Sequence, residues 1–310
     1  MKQSLFLVAP KDKGKFSTGI RAIRHFELEG ENLTLIIKNP KTIQFKEGND
    51  DQLLLQKLIS FLPDTILNRD EWTLVRAPFA ANQYYPRIYR PIYSGPTNLH
   101  MRTPYVGFTP TNLKHVSGAV FQLASLINSM RTIFQVISPD ASNLKAYGTE
   151  IRNVLITAST EFEAQCKGIL KANGYEQKRW TTNDYVKLLS PMKLSSYSVK
   201  ISPYSSISNR VPFKKWNSVK PTASLNWYDA YNKTKHDRES NLNLANLENA
   251  IDAVGACAII LFAQYGKFPI KDPIVDYMVK IINKPKWSSF KSYSKIGYSN
   301  DDWEMIKFKF

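Results

Sequence analysis

The chain has 310 residues, 43% hydrophobic and 22% charged, which is the composition of a globular protein with a buried core and excludes an intrinsically disordered one. Its 42 basic side chains against 26 acidic ones give a net charge of +16, which favours a polyanionic partner, nucleic acid ahead of a membrane surface. Two cysteines, Cys166 and Cys257, both in apolar helical patterns, argue against a disulfide framework and fit a reducing cytoplasm.

The opening MKQSLFLVAPKDKGK has too short an apolar run before Pro10 for a secretory signal. FELEGEN (26–32) supplies a hairpin, and LTLIIKN (33–39) and TIQFK (42–46) are β-rich runs around an Asn-Pro turn. Asp51 to Leu62 has leucines at helical spacing and stops at Pro63. Residues 1–72 therefore read as a mixed, β-containing module. Residues 73–111 are rich in proline and aromatics and read as an irregular connector. From Trp72 to Pro139 no Asp or Glu occurs, while Arg76, Arg87, Arg90, Arg102, Lys114 and Arg131 do, interleaved with Tyr84, Tyr85 and Tyr89. Cations for phosphate and rings for stacking suit single-stranded nucleic acid; the competing reading packs those rings on a core.

The pattern turns helical from Asn112. A helix is expected over 112–137, a second over about 144–172 closed by Asn173-Gly174, and a short one from Thr182 to Leu189. Residues 191–224 read as a long loop. Leu225 to about Lys235 is a short helix, Asn243–Tyr265 a central one, and Pro273 opens another through about Ile282. The longest apolar run, Val254–Ala263, is about ten residues and too short to span a bilayer. The expected domains are 1–72, the connector 73–111, a helical domain 112–285 and an aromatic tail 286–310, giving an α+β chain, cytoplasmic and without a membrane partner.

WYDAYNKTKHDR (227–238) carries the chemistry. Asn232 and His236, four apart, share a helix face with Cβ atoms about 5–6 Å apart, and Lys233, Lys235 and Arg238 surround them with positive charge. An imidazole and an amide among cations suit a phosphodiester: the cations hold the anion and the imidazole moves a proton. The competing reading is a polar residue on a solvated basic helix. His25, His100 and His115, the other histidines, have no comparable setting. There is no phosphate-binding glycine loop, no Gly-x-Ser-x-Gly elbow and no His-Glu-x-x-His zinc helix, so neither a metal nor a cofactor is expected. Glu161 and Glu163 fall on different helix faces and Asp252 stands alone. Trp227 and Tyr231 are expected to pack the short helix down.

YGTEIRNVLITASTEFEAQCKGILKANGY (147–175), WYDAYNKTKHDR (227–238) and ANLENAIDAVGACAIILFAQYG (245–266) together resemble an uncharacterised bacterial branch of the HEPN superfamily, over about 110–285. That resemblance implies a small α-helical bundle with metal-independent ribonuclease activity, in a toxin or antiphage setting. It also implies a homodimer. Of the superfamily's motif, an Arg, then Asn, Asp or His, three residues and His, Asn232 and His236 match; Tyr231 stands where the Arg belongs. The implied reaction is RNA cleavage through a 2′,3′-cyclic phosphate, with His236 moving the proton, Asn232 orienting and Lys233, Lys235 or Arg238 holding the phosphate. The N-terminal module would then serve as a sensor, dimer or protein-partner surface. A non-catalytic nucleic-acid-binding or scaffolding protein of a defence system is the alternative, and a purely structural interaction subunit a third.

Overall fold

The computed structural model of the chain describes residues 4–10, 24–29, 32–35, 41–44, 72–76, 83–93, 110–266, 271–287, 293–294 and 303–310. The chain is of mixed helix and strand and divides into two compact units, Met1–Tyr84 with Arg90–Gly107 and Trp287–Ile306, and Tyr85–Tyr89 with Phe108–Lys286 and Lys307–Phe310.

The first unit holds a five-stranded antiparallel sheet of β1 (Ser4–Pro10), β2 (Arg24–Glu29), β3 (Asn32–Leu35), β4 (Lys41–Gln44) and β5 (Trp72–Arg76), in the order β4-β3-β2-β1-β5. The hairpin read from FELEGEN is present, with Glu29 opposite Asn32 and Phe26 opposite Leu35. Two strands were not expected. SLFLVAP is β1 at the sheet's interior, and WTLVR, placed at the start of the irregular connector, is its edge strand β5. Farther along, β6 (Gln83–Tyr84) and β7 (Ile92–Tyr93) pair in parallel with β11 (Glu304–Met305) and β10 (Tyr293–Ser294). Arg90 is buried with its guanidinium 3.9 Å over the Trp287 ring. The helix expected over 51–62 lies outside the described residues.

The second unit is helical: α1 (Pro110–Phe134), α2 (Thr149–Ala172), α3 (Thr182–Tyr185), α4 (Asn226–His236), α5 (Arg238–Asn241), α6 (Leu247–Tyr265) and α7 (Pro273–Met278). α6 is the centre, packed by α1, α2 and α4. Its start is fixed by Asn246, whose side chain accepts from the Asn249 amide. Small residues let neighbours approach: a Cβ on Gly255 would come within 2.8 Å of Val199. α6 is long and apolar enough to cross a membrane by length and composition, longer than the run expected, but it is mostly buried inside its unit. α2 ends as anticipated. Tyr175 N–H donates to the Leu170 carbonyl and Gly174 N–H to that of Lys171, with Gly174 at φ +79°.

Two expectations fail in one place. Residues 191–224, read as loop, contain β8 (Ser198–Ile201), and the helix from Pro273 stops at Met278 instead of near Ile282. The β-branched run that follows forms β9 (Val279–Asn283), antiparallel to β8 with Ile201 opposite Val279 and Val199 opposite Ile281. The rest of 191–224 is also anchored: Phe213 and Trp216 are buried against Phe162, with ring centroids 5.7 and 5.9 Å away.

Residues 85–89 belong to this helical unit through Arg87, which sits at φ +58°. Its Nε donates to Gln264 Oε1 at 2.7 Å and its Nη2 to Gln165 Oε1 at 2.9 Å. Arg87 and Arg90, read from the sequence as phosphate-facing cations, are thus both turned into protein.

Candidate functional site

α4 exists because one stripe of it is apolar and the other is not. Trp227, Tyr228, Tyr231 and Thr234 are buried, and Trp227 and Tyr228 lie 5.2 and 6.3 Å from the Phe162 ring. Trp227 and Tyr231 hold the helix down, as expected. The outward stripe presents Asn232, Lys233, Lys235 and His236. The helix stops at His236 because Asp237 is extended, and the Asp237 carboxylate accepts from the Ser240 amide at 3.1 Å to start α5.

His236 is therefore the last helical residue, exposed, with Asn232 half-buried one turn before it and Arg238 exposed just beyond. Neither Asn232 nor His236 has a partner among the described residues. His236, Lys233, Lys235 and Arg238 are all exposed, so they make an open surface.

The cations differ in how free they are. Lys233 Nζ pairs with Asp229 Oδ2 at 2.7 Å, an exposed (i, i+4) pair. Lys235 Nζ donates to the Tyr231 hydroxyl at 3.1 Å and lies 5.2 Å over that ring. This hydrogen bond holds the Lys235 ammonium above its ordinary value. Arg238 has no partner among the described residues.

Sequence reasoning missed Arg152. α2 and α4 run antiparallel, so Arg152 near the start of α2 meets the end of α4, and Glu163 farther along α2 meets Tyr228. The Arg152 guanidinium donates through Nε (3.4 Å) and Nη2 (3.2 Å) to the Thr234 carbonyl. That carbonyl is one of those a helix end leaves without an intrahelical donor. Three of the five guanidinium N–H groups remain without a partner among the described residues, and the Thr234 carbonyl that holds the guanidinium is two positions before His236 in the chain. The only signal in the sequence was a basic residue one turn into a long helix, 82 positions from the carbonyl it meets.

Glu163 faces the Asn/His helix. Tyr228 hydroxyl donates to Glu163 Oε1 at 2.7 Å and Lys167 Nζ to Oε2 at 3.3 Å. Burial first, and Glu163 second, push the Tyr228 and Tyr185 phenols well above their ordinary values, so both stay neutral donors. Asp252, read as standing alone, is not. Arg210 donates to its two oxygens at 2.7 and 2.8 Å and to Glu248 at 2.9 Å. Cys166 and Cys257 are buried free thiols, both raised by burial. Among the described residues no three His, Cys, Asp or Glu side chains converge to hold a metal.

The arrangement offers an exposed imidazole, an amide one turn away and a guanidinium with spare donors at one helix end. These are groups that bind phosphate and move protons. Comparison with family models, curated proteins and solved structures finds no match for this chain.

Proposed function

We propose that the chain is a metal-independent endoribonuclease of HEPN type, with RNA phosphate bound at the end of α4. The observation that carries this reading is that Asn232 and His236 lie one turn apart on α4 where the Arg152 guanidinium, with donors to spare, closes the same helix end. In the reaction His236 takes the proton of the ribose 2′-hydroxyl as its oxygen bonds to the adjacent phosphorus. The P–O5′ bond breaks, O5′ leaves with a proton from water, and a 2′,3′-cyclic phosphate remains. Asn232 orients the phosphate, and Arg152 and Arg238 offset charge on its oxygens. In the same reading the protein works as a homodimer in the cytoplasm, as a toxin or antiphage effector, with its N-terminal unit meeting a protein partner. Incubating the chain with end-labelled RNA in EDTA tests the proposal; cyclic-phosphate ends support it, and intact RNA across diverse substrates removes it.

A second reading, a non-catalytic RNA-binding protein, is favoured by one observation. Tyr231, where the motif has Arg, is 2% exposed and under Lys235. That reading predicts salt-dependent binding with no cleavage in the same assay.

A further inference from the structure

Two lysine–aromatic pairs with accessible rings lie together on the helical unit. Lys171 Nζ is 6.0 Å over the half-buried Trp180 ring and Lys187 Nζ 5.4 Å over the half-buried Tyr175 ring, whereas the Tyr185 ring under Lys167, at 6.0 Å, is 1% exposed and offers no face. They share a local frame. Lys167 and Lys171 are one turn apart on α2, Tyr175 follows the end of α2 with its ring 6.1 Å from that of Trp180 and tilted 60° to it, and Tyr185 ends α3 with Lys187 in the turn just after it. The loop between, 176–181, adds exposed Lys178 and Arg179.

Two carboxylates of the patch are occupied. Asp184 accepts from the Tyr175 hydroxyl at 2.8 Å and from the Thr181 amide at 2.8 Å, and Glu163 from Tyr228 and Lys167. Glu176 is the exposed acid here. Glu163 also joins the patch to α4, since it accepts from Lys167 on α2 and from the Tyr228 hydroxyl on α4.

Ammonium groups alone would suit any polyanion. The half-buried Tyr175 and Trp180 rings between them add a stacking surface that an unpaired base can use and a paired base cannot, and stacking does not depend on which base it is. Lysine ammoniums are flexible point charges that shift from ring to phosphate without breaking the fold. We infer that this basic–aromatic patch is the track for single-stranded RNA, leading the strand toward His236. The inference rests on the proposed RNA function and adds the strandedness of the substrate and the surface that selects it.

The test uses the full chain and 2′-O-methyl oligonucleotides of about a dozen nucleotides, which lack the attacking hydroxyl. Single-stranded and duplex forms are compared by fluorescence anisotropy across salt concentrations. Trp180→Ala, with its fold checked by circular dichroism, is expected to weaken single-strand binding about tenfold to a hundredfold and leave duplex binding unchanged. Lys171→Ala with Lys187→Ala is expected to reduce the single-strand salt slope by about 0.7 for each phosphate that is no longer neutralised. Unchanged single-strand affinity in both variants overturns the inference, as does equal weakening for duplex. Tight single-strand binding that depends on Trp180, without any cleavage of ordinary RNA, removes the nuclease proposal and leaves the track standing.

Discussion

Arg210 is the residue whose loss should be felt most. Its guanidinium makes three charge-assisted hydrogen bonds to Asp252 and Glu248, with side-chain exposures of 14% for Arg210, 17% for Asp252 and 30% for Glu248. Arg210→Ala strands the Asp252 carboxylate against α6, and breaking a buried pair in this way costs about 3–5 kcal/mol. At about 2–4 °C per kcal/mol for a domain of this size, Tm should fall by roughly 6–20 °C. The loss should depend on pH. Burial raises the Asp252 carboxyl, with Arg210 pulling it back, while the hydrogen bond from Lys145, aided by Arg210, lowers Glu248. A raised acid contributes stability that is full below its unfolded value and is lost as pH rises through the folded one; the lowered Glu248 contributes above its unfolded value and loses it as pH falls. Without Arg210 the Asp252 carboxyl rises further, so the variant's deficit should be largest near pH 8 and shrink toward about pH 5. Urea unfolding followed by circular dichroism at both pH values measures it. A deficit under about 1 kcal/mol, or one equal at the two pH values, refutes the reasoning.

Two glycines should respond oppositely to alanine. A Cβ on Gly168 would overlap the Arg87 guanidinium at Nη1, so Gly168→Ala must displace Arg87 from Gln165 and Gln264 and should destabilise by about 1–3 kcal/mol in urea unfolding. Gly118 has open space around it within α1, and Gly118→Ala should stabilise by about 0.5–1 kcal/mol. Buried Cys166 and Cys257 should resist a thiol reagent at mildly alkaline pH and both react in denaturant; two fast equivalents in the native protein would contradict their burial.

What the sequence made legible follows from range. α2, α4 and α6 announce themselves by periodic apolar residues and, for α2, by the local stop Asn173-Gly174. The β8–β9 pair stayed hidden because a four-residue strand between serines has no signal until Val279–Asn283, far along the chain, lies beside it. Polar partnerships failed the same way: Asp252 reads as isolated with Arg210 42 positions off, and Arg87 and Arg90 read as surface cations because their inward partners are distant in the chain. At the candidate site, Asn232 and His236 were readable as neighbours on one helix. Arg152 was not, because only the antiparallel packing of α2 on α4 brings it there.

The central claim is most directly tested by comparing wild type and His236→Ala on single-stranded RNA in EDTA, with binding and stability measured alongside. His236 is exposed, so the substitution should change stability by no more than about 0.5 kcal/mol, and binding should persist through the cations. Cleavage should fall by about 10²–10⁴, the usual worth of general acid–base catalysis. Equal cleavage by the variant, or none by wild type, contradicts the account.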